Sequence, residues 1–484
     1  MPMERRARRN VNQSGKAPEV CADGPYKGYT RLHWIHAAAQ HDPEMAMHNL
    51  MHHLNQDNLR RAFHSLDGSK ASGIDHVTKS DYQQNLDHHL QALEQNLRGG
   101  GWRPQPAREV LIPKPQGGMR PLAIGCLEDK IVQTVVARIL EATYEPTFHR
   151  HSYGFRPGKS AHQALGRAHE ILRNRQRRCV VVEMDIEKFF DTVDHEWLIR
   201  TLAERIDDPH FLRLIRRLLR NATLHADGKL AEKLAGTPQG SPASPILANI
   251  CLHALLDTWF VKHWATKGEF VRYADDAIFV FTDEEDARSF QQALGARLAE
   301  AGLKLNLDKT RIVPFSASAP KGTITLLGFE LYWGQHIGKG KRLKVKTIPK
   351  RLTRAMQNFK EWVKAIRNRK TLASIWDMAA HKLVGHYNYY GVTSNEAKLS
   401  HFYWSCVGSL YRWLNRRSQK RSYTWEQFLR RLRFSPLPRP PRGPELIDIS
   451  SEHDAARKHK PKSRMPKSGT YGSVRSASLK LVFT

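Results

Sequence analysis

Phe270-Val271-Arg272-Tyr273-Ala274-Asp275-Asp276-Ala277-Ile278-Phe279-Val280 is an apolar run broken at its centre by two adjacent acids. Such flanks predict two short buried strands joined by a tight turn at Tyr273-Ala274-Asp275-Asp276. Carboxylates withdrawn from water without compensation are costly, so a pair in this setting points to bound metal ions. A third acid of the same kind closes the apolar stretch Val180-Val181-Val182-Glu183-Met184-Asp185-Ile186. Strand alternation puts Glu183 on the same face as Asp185, which makes it a rival ligand. Asp185, at the strand end, is the preferred one. Glu187, Asp191 and Asp194 lie close by in sequence.

The rest of the chain says what such a centre would act on. Lys and Arg number 77 against 47 acids, a formal charge of +30. That excess argues for a polyanionic partner, because each phosphate neutralised releases counterions. A membrane surface is the competing reading, and no apolar stretch of about 18 residues is evident to support it. Five cysteines, Cys21, Cys126, Cys179, Cys251 and Cys406, stand singly. This excludes a zinc module of the usual Cys-x-x-Cys spacing and suits a reducing compartment. The first ten residues are Arg-rich but lack the apolar core of a secretory signal.

Residues 1–40 read as a basic, flexible extension. From 41 to 104 the spacing is helical, interrupted by the loop Gly68-Ser69-Lys70-Ala71-Ser72-Gly73-Ile74-Asp75. His48, His52 and His53 have helical spacing but no accompanying carboxylate pattern, and read as surface histidines. Residues 105–345 carry strands and turns with interspersed helices, an α+β pattern. Within them, Ile112-Pro113-Lys114-Pro115-Gln116-Gly117-Gly118-Met119-Arg120 reads as a hairpin with a cationic face, and a helix follows from Glu128 to about Tyr144. Residues 346–435 read as almost wholly helical, with amphipathic stretches at 351–368, 372–390 and 399–417. Beyond them, 436–484 begins as a Pro-rich linker and continues as a basic tail.

Hard divalent cations take oxygen ligands, and two magnesium ions held by acids on neighbouring strands can steady a nucleotidyl transfer. Asp185, Asp275 and Asp276 are the expected ligands, with the main-chain carbonyl of Ile186 as a further one. Gly236-Thr237-Pro238-Gln239-Gly240-Ser241-Pro242 opens a helix with small residues. Small side chains let backbone approach a bound substrate, and a helix N-terminus favours phosphate.

Asp185-Ile186-Glu187-Lys188-Phe189-Phe190, Thr237-Pro238-Gln239-Gly240, Tyr273-Ala274-Asp275-Asp276 and Leu307-Asp308-Lys309-Thr310 occur in the order found in reverse transcriptases. Ser152-Tyr153-Gly154-Phe155-Arg156-Pro157-Gly158, Gly73-Ile74-Asp75 and Leu326-Leu327-Gly328-Phe329 narrow the likeness further. Over residues 45–435 the chain resembles a bacterial group II intron-encoded protein, a reverse transcriptase that also serves as splicing maturase. The resemblance implies a right-hand polymerase, with fingers, a palm built on an antiparallel sheet, and a helical thumb. It implies Asp185, Asp275 and Asp276 as catalytic carboxylates and Lys309 as a proton donor to leaving pyrophosphate. Lys114 and Arg120 would bind the triphosphate of the incoming dNTP, and Phe190, Gln239 and Gly240 would line its pocket. Phe190 would exclude a 2′-hydroxyl, with Phe189 left as core. Leu327, Gly328 and Phe329 would grip the primer. Gly73, Arg156, Lys159, Tyr389, Trp413, Arg416 and Arg417 would meet template or intron RNA. The thumb's aromatics could equally be bundle core.

The partners so implied are group II intron RNA, an RNA template with a DNA primer, target DNA and dNTPs, with no membrane, in a bacterial cytoplasm close to the nucleoid. Many relatives end in a nuclease with paired cysteines. None is paired after Tyr411 and the tail is short, so an endonuclease-lacking form is expected. Two other readings share these residues. One is a domesticated reverse transcriptase used in DNA repair or phage defence. The other is an RNA-binding maturase whose polymerase is vestigial.

Overall fold

In a computed structural model the fold is described for Tyr29 and residues 31–113, 118–318, 322–335, 338, 340–417 and 422–441. The sheet that decides the architecture has four antiparallel strands in the order Gly268–Tyr273, Asp276–Phe281, Val180–Met184 and Arg311–Pro314. Its strands read as unbroken apolar runs because both faces are covered. Val180, Val182, Met184, Phe270, Phe279 and Phe281 enter one core, while Val181, Val271, Ile278 and Val280 enter another on the opposite face. The first core is filled by the helix Leu127–Tyr144 and the run from Ser244 to His263. The second is filled by the helix Ala161–Asn174 and a three-stranded sheet of Thr323–Leu326, Phe329–Gln335 and Lys341–Thr347. With both faces largely covered, polar side chains leave this sheet most readily at the strand ends, and that is where Asp185, Asp275 and Asp276 lie.

A second four-stranded sheet pairs Ala107–Pro113 with Met119–Ile124 as the expected hairpin, and continues through Thr223–Leu224 to Leu230–Ala231. Helices Pro349–Ile366, Leu372–Tyr390, Glu396–Leu414 and Trp425–Phe434 enclose a third core. The result is the fingers, palm and helical thumb of a right-hand polymerase.

Three expectations change. Residues 31–40 are no loose extension: Leu32–His41 is a helix whose Leu32, Ile35 and Ala39 are buried in the first core. Three apolar residues at helical spacing suffice here because the Leu127–Tyr144 helix offers them a ready face. Residues 435–441 are not a free linker either. Leu437 is buried in the thumb core, the Trp376 indole donates to the Ser435 carbonyl at 3.0 Å, and the Tyr387 hydroxyl donates to that of Pro438 at 3.2 Å. Finally, one apolar helical run does reach membrane-spanning length, Ser244–His263, with mean hydropathy 1.3. Two-thirds of it (67%) is buried among the palm's own side chains, which accounts for its composition.

Candidate active site

The strand pairing Tyr273↔Asp276 leaves Ala274 and Asp275 as a two-residue turn, with Ala274 at φ 55°. Such a conformation costs a non-glycine residue about 1 kcal/mol or more, so its surroundings must enforce it. They do. The Arg272 guanidinium donates to the Ala274 carbonyl at 3.1 Å from beneath. From the side, Gly154 packs so tightly that a Cβ there would stand 2.3 Å from the Ala274 nitrogen. The segment carrying Gly154 is itself pinned, since Tyr153 N–H donates to the Arg272 carbonyl at 2.9 Å and Asn249 Nδ2 to the Gly154 carbonyl at 2.7 Å.

Arg272 is the residue the sequence reading missed. It is wholly buried and makes a two-pronged bond to Asp257, at 2.8 and 2.6 Å, and a bond to Asn249 Oδ1 at 3.2 Å. Asp257 reaches it from a wider helical turn, His253–Asp257, of the π type that recurs at functional sites. Burial alone would raise the Asp257 carboxyl, but the Arg272 charge and hydrogen bonds outweigh it, helped by His253, and hold it well below the carboxylate range.

Asp185 follows the strand Val180–Met184 directly, one step past the Met184↔Ala277 pair, which brings it beside the turn. Its carboxylate receives Lys309 Nζ at 3.2 Å, and Thr310 and Asn306 bond its backbone. Ile186 is bridged to Leu305 on the same loop. The charge of Asp185 reaches both acids of the turn. Burial raises the Asp275 carboxyl, its own backbone N–H opposes this, and the charge of Asp185 raises it further, against Arg120 and Arg272. Asp276 has an edge in solvent yet is otherwise surrounded by protein. That desolvation, then the charge of Asp275, push it up to about 6, with Asp185 adding to them against Arg351 and the Leu327 N–H. Glu183, the rival ligand, is engaged elsewhere, accepting from Arg311 Nε and from the backbone and hydroxyl of Thr325.

Among the described residues no group of three or more His, Cys, Asp or Glu stands in metal-holding geometry, and Lys309 holds Asp185 instead. The donor set nonetheless fits hard dications. The raised carboxyls of Asp275 and Asp276, beside the charge of Asp185, would be relieved by positive charge, and oxygen is the ligand such ions take.

Next to the acids lies a polar chain built by the Gly236–Ser241 loop. Arg120 Nε donates to Gln239 Oε1 at 2.6 Å, and Gln239 Nε2 donates to Asp191 at 2.9 Å. The loop can lie this close only because Gly236 and Gly240 lack side chains. A Cβ on Gly236 would meet the Phe190 carbonyl at 2.5 Å, and one on Gly240 the Ala123 carbonyl at 2.9 Å. Phe189 is buried, and half-buried Phe190 meets it edge-on at 5.2 Å. Lys114 lies outside the described residues.

Leu327 and Gly328 form a tight turn with φ 53° and 84° between paired Leu326 and Phe329. The Tyr389 hydroxyl donates to the Leu327 carbonyl at 2.9 Å, and its ring stacks on Phe329. Arg351, from the first thumb helix, lies against Gly328 and acts on Asp276, joining the thumb to the turn that carries the two acids.

Several expected RNA contacts turn out to be braces. Arg156 is buried, clamped on Glu145 and on the carbonyls of His149 and Ser152, so it is not available to a template. Gly73 is buried where a Cβ would meet Cys126 at 2.6 Å, so it seats its loop. Tyr389 supports the Leu327 turn. Lys159 lies over the Tyr153 ring at 5.5 Å. Trp413 is ringed by Lys364, Arg367 and Arg416 at 4.9–5.6 Å, a basic cluster on the thumb far in sequence from the acids. Arg417 is exposed and bonds the Lys370 carbonyl. Another residue missed from the sequence is Phe155: at φ 55° and 51% exposed, it is an aromatic presented beside the catalytic turn by locked neighbours.

Residues 112–331 match the family described as reverse transcriptase (RNA-dependent DNA polymerase). Protein YkfC of Escherichia coli (strain K12) is 31% identical over 309 residues, which cover 56% of this chain and 81% of YkfC. The group II intron-encoded protein LtrA of Lactococcus lactis subsp. cremoris is 37% identical over 189 residues, 39% of this chain and 30% of LtrA. The chain therefore spans most of the first relative but under a third of the second. A solved structure of telomerase from Candida albicans, in complex with a fragment of telomeric RNA, aligns with a TM-score of 0.42 at 13% identity, over 72% of this chain and 65% of that one.

Proposed function

Because the chain belongs to the reverse transcriptase (RNA-dependent DNA polymerase) family, in its group II intron-encoded branch, we propose that it copies an RNA template from a DNA primer at Asp185, Asp275 and Asp276. The observation that carries this is the meeting of those three acids at the ends of adjacent strands, beside the Arg120–Gln239–Asp191 chain. Two Mg2+ ions held by the carboxylates, with the Ile186 carbonyl as a further ligand, would activate the primer 3′-hydroxyl and balance charge on the phosphorus. The protein's own part is positional. Arg272 and Gly154 fix the turn, so the acids need no reorganisation when substrate arrives. Arg120, with Lys114, would receive the triphosphate, exchanging its bond to Gln239 for phosphate oxygens. Lys309, 61% exposed and held 3.2 Å from Asp185, can swing to protonate the leaving pyrophosphate. Phe190, whose carbonyl takes the Thr237 N–H of the same loop at 2.7 Å, would bar a 2′-hydroxyl. The Leu327-Gly328-Phe329 turn, tied to Asp276 by its backbone and to the thumb by Tyr389 and Arg351, would seat the primer end.

The same chain would bind group II intron RNA through the thumb, where Trp413, Arg416 and Arg417 form a basic, aromatic face, assisting splicing and mobility into target DNA at the nucleoid. The test is primer extension on an RNA template with dNTPs and Mg2+, comparing wild type with Asp275→Asn. Extension by wild type alone, with RNA binding kept by the variant, is expected. Loss of extension and RNA binding together would make Asp275 a structural residue.

A further inference from the structure

The strand Lys341–Thr347 runs almost directly into the first thumb helix, Pro349–Ile366, and the junction is locked. Thr347 N–H donates to Asn395 Oδ1 at 2.8 Å, and Asn395 Nδ2 donates to the Thr347 hydroxyl and to the Tyr390 carbonyl, each at 2.8 Å. Thr347 and Asn395 are wholly buried, so these bonds are shielded from water. One residue on, Ile348 N–H donates to the Gly328 carbonyl at 3.2 Å. The helix therefore starts at a fixed place against the Leu327-Gly328 turn, whose Leu327 N–H bonds Asp276.

Arg351 is the side chain that this junction places. A Cβ on Gly328 would stand 2.8 Å from Arg351 Nη1 and 3.0 Å from its Cδ and Cζ, so the guanidinium fills space that only glycine leaves open. The residue is nonetheless exposed, and among the described residues its side chain makes no ion pair or hydrogen bond. The acid within its field is Asp276. Its position also runs against local preference, because a cation in the first turn of a helix faces the positive end of the dipole and no acid in that turn offsets it. An arginine held in place, facing solvent and unpaired, beside the turn assigned to the primer, is set for an anion that arrives there.

We propose that Arg351 receives the phosphodiester joining the last two nucleotides of the primer, and so sets the 3′-hydroxyl against Asp276. This rests on the RNA-copying reading above. That linkage lies one sugar behind the 3′-hydroxyl, and Gly328 lies one residue from the N–H on Asp276. The planar guanidinium offers parallel donors to two phosphate oxygens, which fixes the orientation of the strand as well as its charge. The linkage needs a cation at this point, since it otherwise brings negative charge beside three carboxylates. Because Arg351 comes from the thumb and Gly328 from the sheet beneath it, one phosphate ties both to the primer end.

The experiment measures equilibrium binding of an RNA template paired with a fluorescent DNA primer to the full chain, across a salt series and without turnover. Single-nucleotide extension runs in parallel. The primer carries either its natural terminal linkage or an uncharged methylphosphonate in its place. Arg351→Gln should weaken binding of the natural primer by about tenfold or more and lower the log–log salt slope by about one. The methylphosphonate should weaken wild-type binding as much and cost Arg351→Gln nothing further. In extension the loss should fall on KM for primer–template and on kcat, with KM for dNTP unchanged. Arg351→Lys, which keeps the charge and loses the fork, should recover the slope and only part of the affinity. Lys350→Gln, at the neighbouring cation, should keep the full methylphosphonate penalty. Should Arg351→Gln melt below wild type, Arg351→Lys carries the test, with a penalty smaller than that of wild type. A penalty that Arg351→Gln shares in full, or that Lys350→Gln also erases, would overturn the proposal. So would reduced extension with binding and slope unchanged, which would leave Arg351 acting only through Asp276. Failure of wild type to extend the natural primer would strike the polymerase reading, and the binding comparison would still decide this one.

Discussion

Replacing Arg272 with methionine would strand the Asp257 carboxylate, 1% exposed, with only His253 at 3.3 Å for company. Removing one partner of a buried ion pair costs about 3–5 kcal/mol, because the other charge is left without compensation. Asp257→Leu should cost a similar amount by stranding the guanidinium. The double variant removes both charges and leaves smaller debts. The Ala274 carbonyl and Asn249 Oδ1 lose donors at 3.1 and 3.2 Å, about 1–3 kcal/mol for each acceptor left buried and unsatisfied. Urea unfolding should therefore show single-variant losses summing to roughly 6–10 kcal/mol and a double-variant loss nearer 2–6, a coupling centred on about 4 kcal/mol. Activity should not follow stability. Nothing in the double variant holds the Ala274 carbonyl, so primer extension should stay well below wild type while the fold recovers. The sign with pH is fixed as well. The Asp257 carboxyl is depressed in the folded state, so its stabilisation is present above the ordinary value of 3.8 and is lost as pH falls toward the folded value. A double variant that is as unstable as the sum of the singles would refute the coupling. One that regains the wild-type rate would refute the role assigned to the turn.

Phe190→Ala should let the enzyme incorporate ribonucleotides, read as a fall in the ratio of kcat/KM for dNTP over rNTP; an unchanged ratio would place the sugar gate elsewhere. Phe155→Gly should relieve the left-handed backbone at φ 55° and leave the melting temperature equal or higher, yet weaken primer–template binding by about ten- to a hundredfold if the ring stacks on a base. The loss should shrink when the facing base is replaced by an abasic residue, and equal loss on both substrates would rule out stacking. Asp129, in the helix Leu127–Tyr144, is pushed up to about 7, first by burial and then by Glu128 and Asp75, against the N–H groups of Gln105 and Cys126. A raised folded value means stability that declines as pH climbs from about 4 to about 7. Asp129→Asn should flatten that decline in urea titrations at pH 5 and pH 8, and an unaltered difference between the two would show that Asp129 does not cause it.

The meeting of Asp185, Asp275 and Asp276 was legible because the palm sheet is buried on both faces. Val181 faces one core and Val182 the other, so the sequence around them is largely apolar and an acid stands out. The supporting shell was illegible for the same reason turned round. Arg272 sits in an equally apolar stretch, and nothing in its neighbours reveals that its counter-charge, Asp257, comes from a helix turn 15 residues earlier. A charge on a strand of unknown register reads as surface until its partner is found, and partners across a fold leave no local pattern. Arg156 shows the converse error. Its setting between Gly154, Pro157 and Gly158 looks like an exposed loop, the place for a template contact, yet Glu145 and the carbonyls of His149 and Ser152 engage all three of its nitrogens. The aromatic beside it, Phe155, is the one left in solvent. Motif spacing thus anticipated that the three acids meet, and mistook which of two adjacent residues faces solvent. The cause is physical: an arginine and a phenylalanine in a tight turn each can face solvent or core, and which does so is set by a carboxylate 11 residues upstream. The two buried arginines therefore brace the turn, Arg272 through the Ala274 carbonyl and Arg156 through the His149 and Ser152 carbonyls of the segment that carries Gly154, and the acids owe their geometry to cations withdrawn from solvent.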